Sequence, residues 1–302
     1  MIESVRPNID DFQQLKQVSI YGSRRQEGHI GNICQLIDTF LSRGIAVSIE
    51  RKLASVLNSE GYRLAVRGIR ECVRMPENTD IVVSIGGDGT FLRSAKWVQG
   101  REIPILGINT GHLGFLAENS VENSDGIIKA LEAGEYSVEK RLVLEAVSEK
   151  IPSDEWPFAL NEVAFLKSDS ASMIKVKVAV DGHFLTDYSA DGLLMATPTG
   201  STAYNLSVGG PILDPTLNNI ILSPVAPHTL TLRPLVLGAE SEITATVTSR
   251  KGDFRLSIDG RSFVMPCGVE IRVRRAAHTV LALRRRGENF ASSLRDKMRW
   301  GT

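Results

Sequence analysis

Hydrophobic and polar residues follow two different periods along the chain, and the change falls near residue 138. Before it, short apolar runs alternate with segments whose apolar positions have helical spacing, as in Ile33, Leu36 and Phe40. Alternation of strand and helix predicts a parallel sheet covered by helices. The predicted strands are 17–22, 45–49, 80–85 and 103–109, and the predicted helices are 33–43, 51–61, 90–98 and 122–133.

After residue 138, helical spacing nearly disappears and strand candidates follow one another, some with apolar residues at every second position. Within 172–180, for example, Ile174, Val176 and Val178 alternate with polar residues. Asp-Gly pairs at 181–182 and 259–260 predict two-residue hairpin turns. This pattern predicts an all-β, sheet-on-sheet region. Further predicted strands are 183–189, 192–197, 242–250, 254–258, 261–265, 269–275 and 278–286.

The change of period divides the chain into two predicted domains and a tail. We expect an α/β domain over 1–138 and a β-rich, sandwich-like domain over 139–287. The tail, 288–302, has the composition of a terminal helix, and we expect it to pack back on the first domain.

Composition and charge argue against several classes of function. Lys plus Arg and Asp plus Glu both number 35, and a formal net charge of zero disfavours a general nucleic-acid binder. The three cysteines are far apart and indicate neither a disulfide framework nor a metal site. No signal-peptide pattern is seen, and no apolar run approaches the roughly 20 residues that span a bilayer. We expect a cytoplasmic protein without nucleic-acid or membrane partners.

Residues 80–91, DIVVSIGGDGTF, combine a buried strand, a glycine turn and a helix start with Thr90 as the predicted N-cap. Glycines let the backbone approach a phosphate, and the amides of a helix N-terminus favour an anion. The acid in this turn, Asp88, would repel a phosphate unless it holds a metal, takes a proton or binds a hydroxyl. The alternative is a plain strand-to-helix turn whose glycines serve only tight geometry.

A second glycine loop spans 198–211, PTGSTAYNLSVGGP. Its small hydroxylated residues offer short hydrogen-bonding groups, and Tyr204 offers a flat face for a base or a nicotinamide ring. Loops of this length are usually functional or disordered, and the Gly-Gly-Pro sequence argues against disorder. The alternative is a long turn between two sheets.

Two smaller polar features accompany this loop. Asn161 and Glu162 lie within an otherwise apolar predicted strand, 158–166. Adjacent strand residues point to opposite faces, so one of the two faces the interior and needs partners there. A carboxylate and an amide together suit ribose hydroxyls and an adenine edge, whereas the alternative is an exposed strand end. Asp191-Gly192 alone is an ordinary turn pair.

Several known signatures are missing. The chain has no G-x-x-x-x-G-K-[ST] and no G-x-G-x-x-G after the first strand, so neither a P-loop nor a classical dinucleotide fingerprint is present. The protein-kinase set and G-x-S-x-G are also absent. Phosphate binding would therefore rely on backbone amides and a metal.

Together these motifs resemble those of the NAD kinases: GGDGT at 86–90, NTGHLGFLAE at 109–118, NE at 161–162 and DGLLMATPTGSTAYNLSVGGPIL at 191–213. GGDG alone is shared with lipid kinases, whereas TPTGSTAY after NE is much more specific. The resemblance implies an N-terminal α/β, ATP-binding domain, a C-terminal β-rich, NAD-binding domain and a site in the cleft between them. It also implies transfer of the ATP γ-phosphoryl group to the 2′-hydroxyl of the adenosine ribose of NAD, giving NADP.

The resemblance implies roles for individual residues as well. Asp88 would be the base that accepts the proton of the ribose hydroxyl, a kind of assistance typically worth roughly 10²–10⁴-fold. Ser189 stands where some relatives carry Arg, so a preference between NAD and NADH that rests on that charge does not carry over. The resemblance also implies which residues bind each part of the substrates. Phosphates would be bound by Gly86, Gly87, Gly89, Thr90 and Arg93, adenosine by Asn161 and Glu162, and the far end of NAD by Asp191. The dinucleotide pocket would be lined by Thr202, Ala203, Tyr204, Asn205 and Ser207, and NAD would also be contacted by Arg261.

The resemblance finally implies ATP as phosphoryl donor, Mg²⁺ or another divalent metal, NAD as substrate and a homodimer or homotetramer. No metal ligand of the protein itself is predicted. Two alternatives stay open at this point. A diacylglycerol- or sphingosine-type lipid kinase would need an apolar pocket, whereas the second glycine loop is polar. A non-catalytic NADP-sensing protein would not need the acid of GGDG.

Overall fold

The computed structural model describes residues 15–23, 26, 28–111, 114–168 and 172–299. The described chain forms two compact units. Unit 1 takes the chain up to Lys140 and again from Val280, and unit 2 is Arg141–Thr279. Residues 112 and 113 of the 109–118 motif and residues 300–302 of the predicted tail lie outside the described residues.

Unit 1 is built on an eight-stranded sheet in which β1 pairs with β2 and β4, and β4 with β5, all in parallel. The sheet order is β3-β2-β1-β4-β5-β20-β7, with β6 beside β5. Its strands are β1 (Gln17–Gly22), β2 (Ala46–Glu50), β3 (Arg70–Cys72), β4 (Ile81–Ile85), β5 (Ile105–Asn109), β6 (Asn119–Ser120), β7 (Tyr136–Arg141) and β20 (Val280–Arg285).

The predicted helices of unit 1 are confirmed, with shifted ends. Apolar residues spaced three or four apart, such as Ile33, Leu36 and Phe40, are fully buried in the core with the strands. The helix after β4 begins at Asp88, so the prediction of Thr90 as its N-cap was wrong and Gly87 takes that position. The helices are α1 (Ile30–Ser42), α2 (Arg51–Ser59), α3 (Asp88–Val98), α4 (Ser124–Glu132) and α6 (Phe290–Met298), with 3-10 turns at Leu64–Arg67 and Val121–Asn123.

The chain end differs from the sequence-based expectation. The strand predicted over 278–286 exists as β20, but it pairs in parallel with β5 in the sheet of unit 1 and not with the all-β region. All but its last residue are buried, which is typical of a strand covered on both faces. The predicted terminal helix is α6, which also belongs to unit 1.

Unit 2 consists of two six-stranded antiparallel sheets, which confirms the prediction of an all-β domain. Alternating residues of both sheets, such as Val176 and Phe165, contribute to one apolar core. One sheet has the order β12-β11-β16-β19-β8-β9 and the other β15-β14-β13-β10-β17-β18. The strands are β8 (Leu144–Val147), β9 (Phe158–Ala159), β10 (Glu162–Leu166), β11 (Ile174–Val180), β12 (His183–Ala190), β13 (Gly192–Ala196), β14 (Asn219–Val225), β15 (Leu235–Gly238), β16 (Ile243–Thr248), β17 (Asp253–Ile258), β18 (Arg261–Pro266) and β19 (Glu270–Arg275).

Three features of unit 2 matter for its polar residues. The strand predicted over 158–166 is split into β9 and β10, which belong to different sheets, and Asn161 lies between them. Asp191 is likewise the residue at which the chain passes from β12 in one sheet to β13 in the other. The second glycine loop is not a structureless turn, because it contains a 3-10 turn, Thr199–Thr202, and a one-turn helix, α5 (Tyr204–Ser207).

A search for membrane-crossing helices among the described residues found none with the necessary length and apolar character.

Candidate functional site

The glycine turn after β4 lies at the carboxyl end of the sheet of unit 1, where the strand order reverses between β1 and β4. Ligands of open α/β sheets bind at such reversal points. Gly86 has a φ of +140°, and a Cβ there would lie 2.4 Å from Oγ1 of the buried Thr90. Only glycine fits this position, so the tight turn into α3 depends on Gly86.

Asp88 is the first residue of α3, and its carboxylate is held by three successive backbone amides. Phe115 N donates to Oδ2 at 2.8 Å, while Leu116 N and Ala117 N donate to Oδ1 at 2.9 and 3.0 Å. We call residues 114–118 the amide loop. A Cβ on Gly114 would lie 2.0 Å from Asp88 Oδ1, so the loop can approach this closely only with glycine there.

The amide loop is itself tied to the sheet. Asn109, at the end of β5, donates from Nδ2 to Ala117 O at 3.2 Å, and Asn119 donates to Gly107 O at 3.0 Å. The 109–118 motif contributes to the family resemblance, but its residues had no predicted role in the site. Gly114 was the signal that could have revealed one, because a glycine in a motif often marks a close backbone approach.

One turn into α3, the helix carries a cation close to the glycines. Arg93 is exposed, and its Nη2 donates to Thr90 Oγ1 at 3.0 Å. Tyr21 lies near the end of β1. Burial and the charge of Glu50 raise the pKa of Tyr21, whereas the charge of Arg93 and a hydrogen bond with it favour a lower pKa. The residues that are predicted to bind phosphates therefore lie around Asp88. They are Gly86, Gly87, Gly89, Thr90 and Arg93.

Unit 2 contains a second carboxylate that is held in the same way. Asp259, in the Asp-Gly turn between β17 and β18, accepts from Leu160 N at 2.7 Å through Oδ2. Its Oδ1 accepts from Asn161 N at 2.8 Å and Glu162 N at 3.1 Å. Sequence reasoning treated Asp259 only as a turn residue, because nothing local links it to the Asn161-Glu162 pair.

Glu162 lies next to this clamp and carries the largest change in acidity among the predicted site residues. Burial, and secondarily the charge of Asp259, raises its pKa to about 8. Burial also raises the pKa of Asp259, but three amides and Arg261 favour its charged form. A pKa of about 8 places a proton on Glu162 at neutral pH. Within the described structure, Glu162 Oε2 is buried and has no hydrogen-bond partner.

The side chain of Arg261 binds the segment that precedes β10. Its guanidinium donates to Trp156 O at 2.6 Å and Phe158 O at 2.9 Å and lies 3.6 Å from Glu155. Burial lowers the pKa of Arg261. The structure thus brings Arg261 together with Asp259 and the Asn161-Glu162 pair, while its contact with a dinucleotide stays a prediction.

The second glycine loop starts directly beside the Asn161-Glu162 pair. Thr197 N donates to Asn161 O at 2.8 Å, and Thr197 Oγ1 accepts from Gly200 N at 3.0 Å. Tyr204, on α5, is 39% exposed and presents its ring outward. Of the remaining loop residues, Thr202 donates to Thr199 O at 3.4 Å, Ala203 is partly buried and Ser207 is exposed.

Asn205 has a different place in this loop. It is fully buried, and its Nδ2 donates to Ser201 O at 3.2 Å and to Pro211 O at 3.0 Å. Its Oδ1 accepts from Ser223 Oγ at 2.6 Å. These hydrogen bonds show that Asn205 stabilises the conformation of the loop. Its place in a dinucleotide pocket stays a prediction.

Ser189 and Asp191 lie at the passage between the two sheets of unit 2. Ser189 is on β12, and its carbonyl accepts from His228 N at 3.0 Å. Asp191 Oδ1 lies 2.8 Å from Lys167 Nζ, with both side chains partly buried. Asp191 is therefore a positioned carboxylate, already neutralised by one lysine.

No group of three or more His, Cys, Asp or Glu side chains that could hold a metal ion is found among the described residues.

In unit 1, a glycine turn at the point where the strand order reverses carries an oriented acid. Unit 2, which follows in the sequence, is all-β and has a polar loop of its own. Together these features define a two-domain nucleotide-binding protein. Comparisons with known proteins identify the family within this class. Residues 42–136 match the family model of the ATP-NAD kinase N-terminal domain, and residues 160–284 match that of the ATP-NAD kinase C-terminal domain.

Complete relatives agree with the family models. An NAD kinase of Porphyromonas gingivalis is 40% identical over 288 residues, covering 95% of this chain and 99% of the relative. One of Bacteroides fragilis is 41% identical over 283 residues, covering 94% and 97%. The chain belongs to the NAD kinase family, whose members are phosphotransferases, and neither alternative class is favoured.

Solved structures share the fold. An NAD kinase from Archaeoglobus fulgidus in complex with ATP superposes with a TM-score of 0.69 at 28% identity, covering 94% of this chain and 98% of that chain. Yeast NADH kinase complexed with NADH gives a TM-score of 0.83 at 24% identity, covering 95% and 89%. At that identity the second likeness shows the fold alone.

Proposed function

We propose that the protein transfers the γ-phosphoryl group of ATP to the 2′-hydroxyl of the adenosine ribose of NAD, giving NADP. The observation that carries this proposal is the Asp88 carboxylate, oriented by three amides at the N-terminus of α3 directly after a glycine turn. The family membership supports it, as does the likeness to the NAD kinase from Archaeoglobus fulgidus, whose structure is a complex with ATP.

Asp88 has the geometry of a general base. A carboxylate offers about four lone-pair positions, of which the amide loop uses two on Oδ1 and one on Oδ2. The remaining position on Oδ2 can accept the proton of a hydroxyl. Because the amides also fix the orientation of the carboxylate, little rearrangement is needed when the proton moves.

The first turn of α3 would hold the phosphates. Gly87 and Gly89 carry no side chains that block an approach to the backbone amides, and Arg93 supplies a positive charge beside them. A divalent metal, when bound with ATP, neutralises phosphate charge. The residues fit such an ion if it arrives on the phosphates, because three lone-pair positions of Asp88 are already used by amides.

Unit 2 would hold the dinucleotide. Protonated Glu162 can donate from its unpartnered oxygen to a ribose oxygen, which satisfies a buried polar atom that is otherwise left alone. Tyr204 would stack on a ring, and Asp191 would accept from an amide or hydroxyl at the other end of NAD. Asn161, Ser189, Thr202, Ala203, Asn205, Ser207 and Arg261 complete the proposed binding residues. A cytoplasmic location and a homodimer or homotetramer stay predictions.

The proposal is tested by incubating the protein with ATP, Mg²⁺ and NAD and assaying for NADP with an NADP-specific dehydrogenase. We expect NADP formation that depends on all three additions. Phosphorylation of diacylglycerol without NADP formation would select a lipid kinase. Binding of NADP without turnover would select a sensor, and either result would overturn the proposal.

A further inference from the structure

The C-terminal helix α6 contacts the amide loop through a buried cluster of charges. Lys297 Nζ donates to Glu118 Oε1 at 2.6 Å, and the two side chains are only 5% and 14% exposed. The same oxygen accepts from Ser293 Oγ at 3.0 Å and lies 3.4 Å from Nη2 of the buried Arg284 on β20. Glu118, the last residue of the amide loop, is thus held by groups from the end of the chain.

Lys297 also contacts the other end of the three-amide run. Its Nζ lies 4.9 Å from the centre of the Phe115 ring, within the range of a cation–π contact. The amide of Phe115 is the donor to Asp88 Oδ2. One ammonium group therefore touches the side chains of residues 115 and 118, which flank or include every amide that holds Asp88.

The amide loop has reason to need such a contact. Residues 114–118 form neither helix nor strand, so no regular ladder fixes their position. The bonds from Asn109 and from Gly114 N to Ala117 O, at 3.2 and 3.4 Å, secure its middle. Burial of an ammonium is costly unless it is paired, so Lys297 has a strong preference for the one arrangement in which Glu118 and Phe115 are both in place.

We propose that Lys297 is a positioning residue for phosphoryl transfer: α6 holds the amide loop in the geometry in which its three amides orient Asp88. Lys297 acts through Phe115 and Glu118 and not by contact with the substrate. This inference rests on the proposed function, because it takes Asp88 as the base.

The primary test is Lys297→Met, which keeps the apolar stem over Phe115 and removes the charge. A misplacement of reacting groups by a fraction of an ångström is costly, so we expect kcat to fall by roughly tenfold while KM for ATP and NAD changes less than about twofold. Lys297→Arg is expected to restore part of kcat. The matched control is Arg295→Met, an exposed cation of the same helix, which should leave both constants unchanged.

A cycle with Asp88→Asn separates positioning from general loss of structure. In the Asp88→Asn background we expect Lys297→Met to change the residual kcat less than about twofold, because the group it positions is already gone. Multiplication of the two effects would overturn the inference, as would an unchanged kcat in the single variant.

A readout without activity keeps the inference separate from the proposed function. Amide hydrogen exchange of residues 115–117, followed by mass spectrometry, should be faster in Lys297→Met than in the parent or in Arg295→Met. Unchanged exchange would overturn the inference even if the protein makes NADP. Faster exchange in a protein that makes no NADP would confirm the mechanical link and locate the failure in the proposed function.

Discussion

The two units hold one carboxylate each by the same backbone device. Three successive amides converge on Asp88 in unit 1 and on Asp259 in unit 2, with the first amide on Oδ2 and the next two on Oδ1. The distances agree closely, at 2.8, 2.9 and 3.0 Å for Asp88 and 2.7, 2.8 and 3.1 Å for Asp259.

What differs is the neighbourhood of each acid. Asp88 begins a helix beside glycines and an exposed arginine, where a ligand can approach. Asp259 sits in a hairpin turn beside Glu162, whose pKa it helps to raise. The same arrangement of three backbone amides therefore has a different effect in each unit. In unit 1 the three amides orient an acid beside a glycine turn, and in unit 2 they favour the charged form of Asp259, whose charge helps to raise the pKa of Glu162.

The largest effect is expected from Asp88→Asn. If Asp88 is the base, kcat should fall by roughly 10²–10⁴-fold, with little change in KM for NAD, measured by coupled NADP detection. The control is Asp259→Asn, the equivalent change in unit 2, which should not lower kcat to this extent. Equal losses of kcat in both variants would show that the two clamped acids do not have different tasks.

A smaller effect is expected from Gly114→Ala, which breaks only the clamp of unit 1. The new Cβ would lie 2.0 Å from Asp88 Oδ1, so loop and acid must separate. We expect kcat to fall by roughly 10²-fold, since displacement of a catalytic group by about 1 Å can cost that much. Gly111→Ala is the matched control, because a Cβ there meets no atom of the described residues within 4 Å. Similar kinetics for the two variants would contradict the clamp's role.

The proton on Glu162 gives unit 2 a pH-dependent stability. Its folded pKa of about 8 lies above the ordinary 4.5, so the folded state binds more protons between those values. The stabilisation is complete below pH 4.5 and is lost as the pH rises to about 8. We expect the parent to lose about 2 kcal/mol relative to Glu162→Gln between pH 5 and pH 7 in denaturant unfolding without ligand. A pH-independent difference would refute the raised pKa of Glu162.

The smallest effect is expected from Tyr204→Ala, which tests the dinucleotide side of the comparison. Loss of one stacking contact should raise KM for NAD by about tenfold and leave KM for ATP unchanged. Steady-state kinetics with each substrate varied in turn measure both constants. Tyr204→Phe keeps the ring and should behave like the parent, whereas an effect confined to ATP would place Tyr204 with the wrong substrate.

Much of the molecule could be predicted from local pattern. The strand-turn-helix order around Gly86, the alternation in β11 and the Asp-Gly hairpins all follow from side-chain period and turn chemistry, which act over a few residues. For the same reason the start of α3 was misplaced by two residues, because a threonine suited to capping lies within the first turn.

Local residue patterns were enough to predict the two fold classes, the glycine turn with its acid, and the family. The groups that hold the two acids could be identified only from the folded chain, because the amides bonded to Asp88 are 27–29 residues away and those bonded to Asp259 are 97–99 residues away. Such bonds involve backbone atoms, which every residue has, so no side-chain pattern records them. Likewise, the apolar run over 280–283 predicts the strand β20 but does not say which sheet it joins.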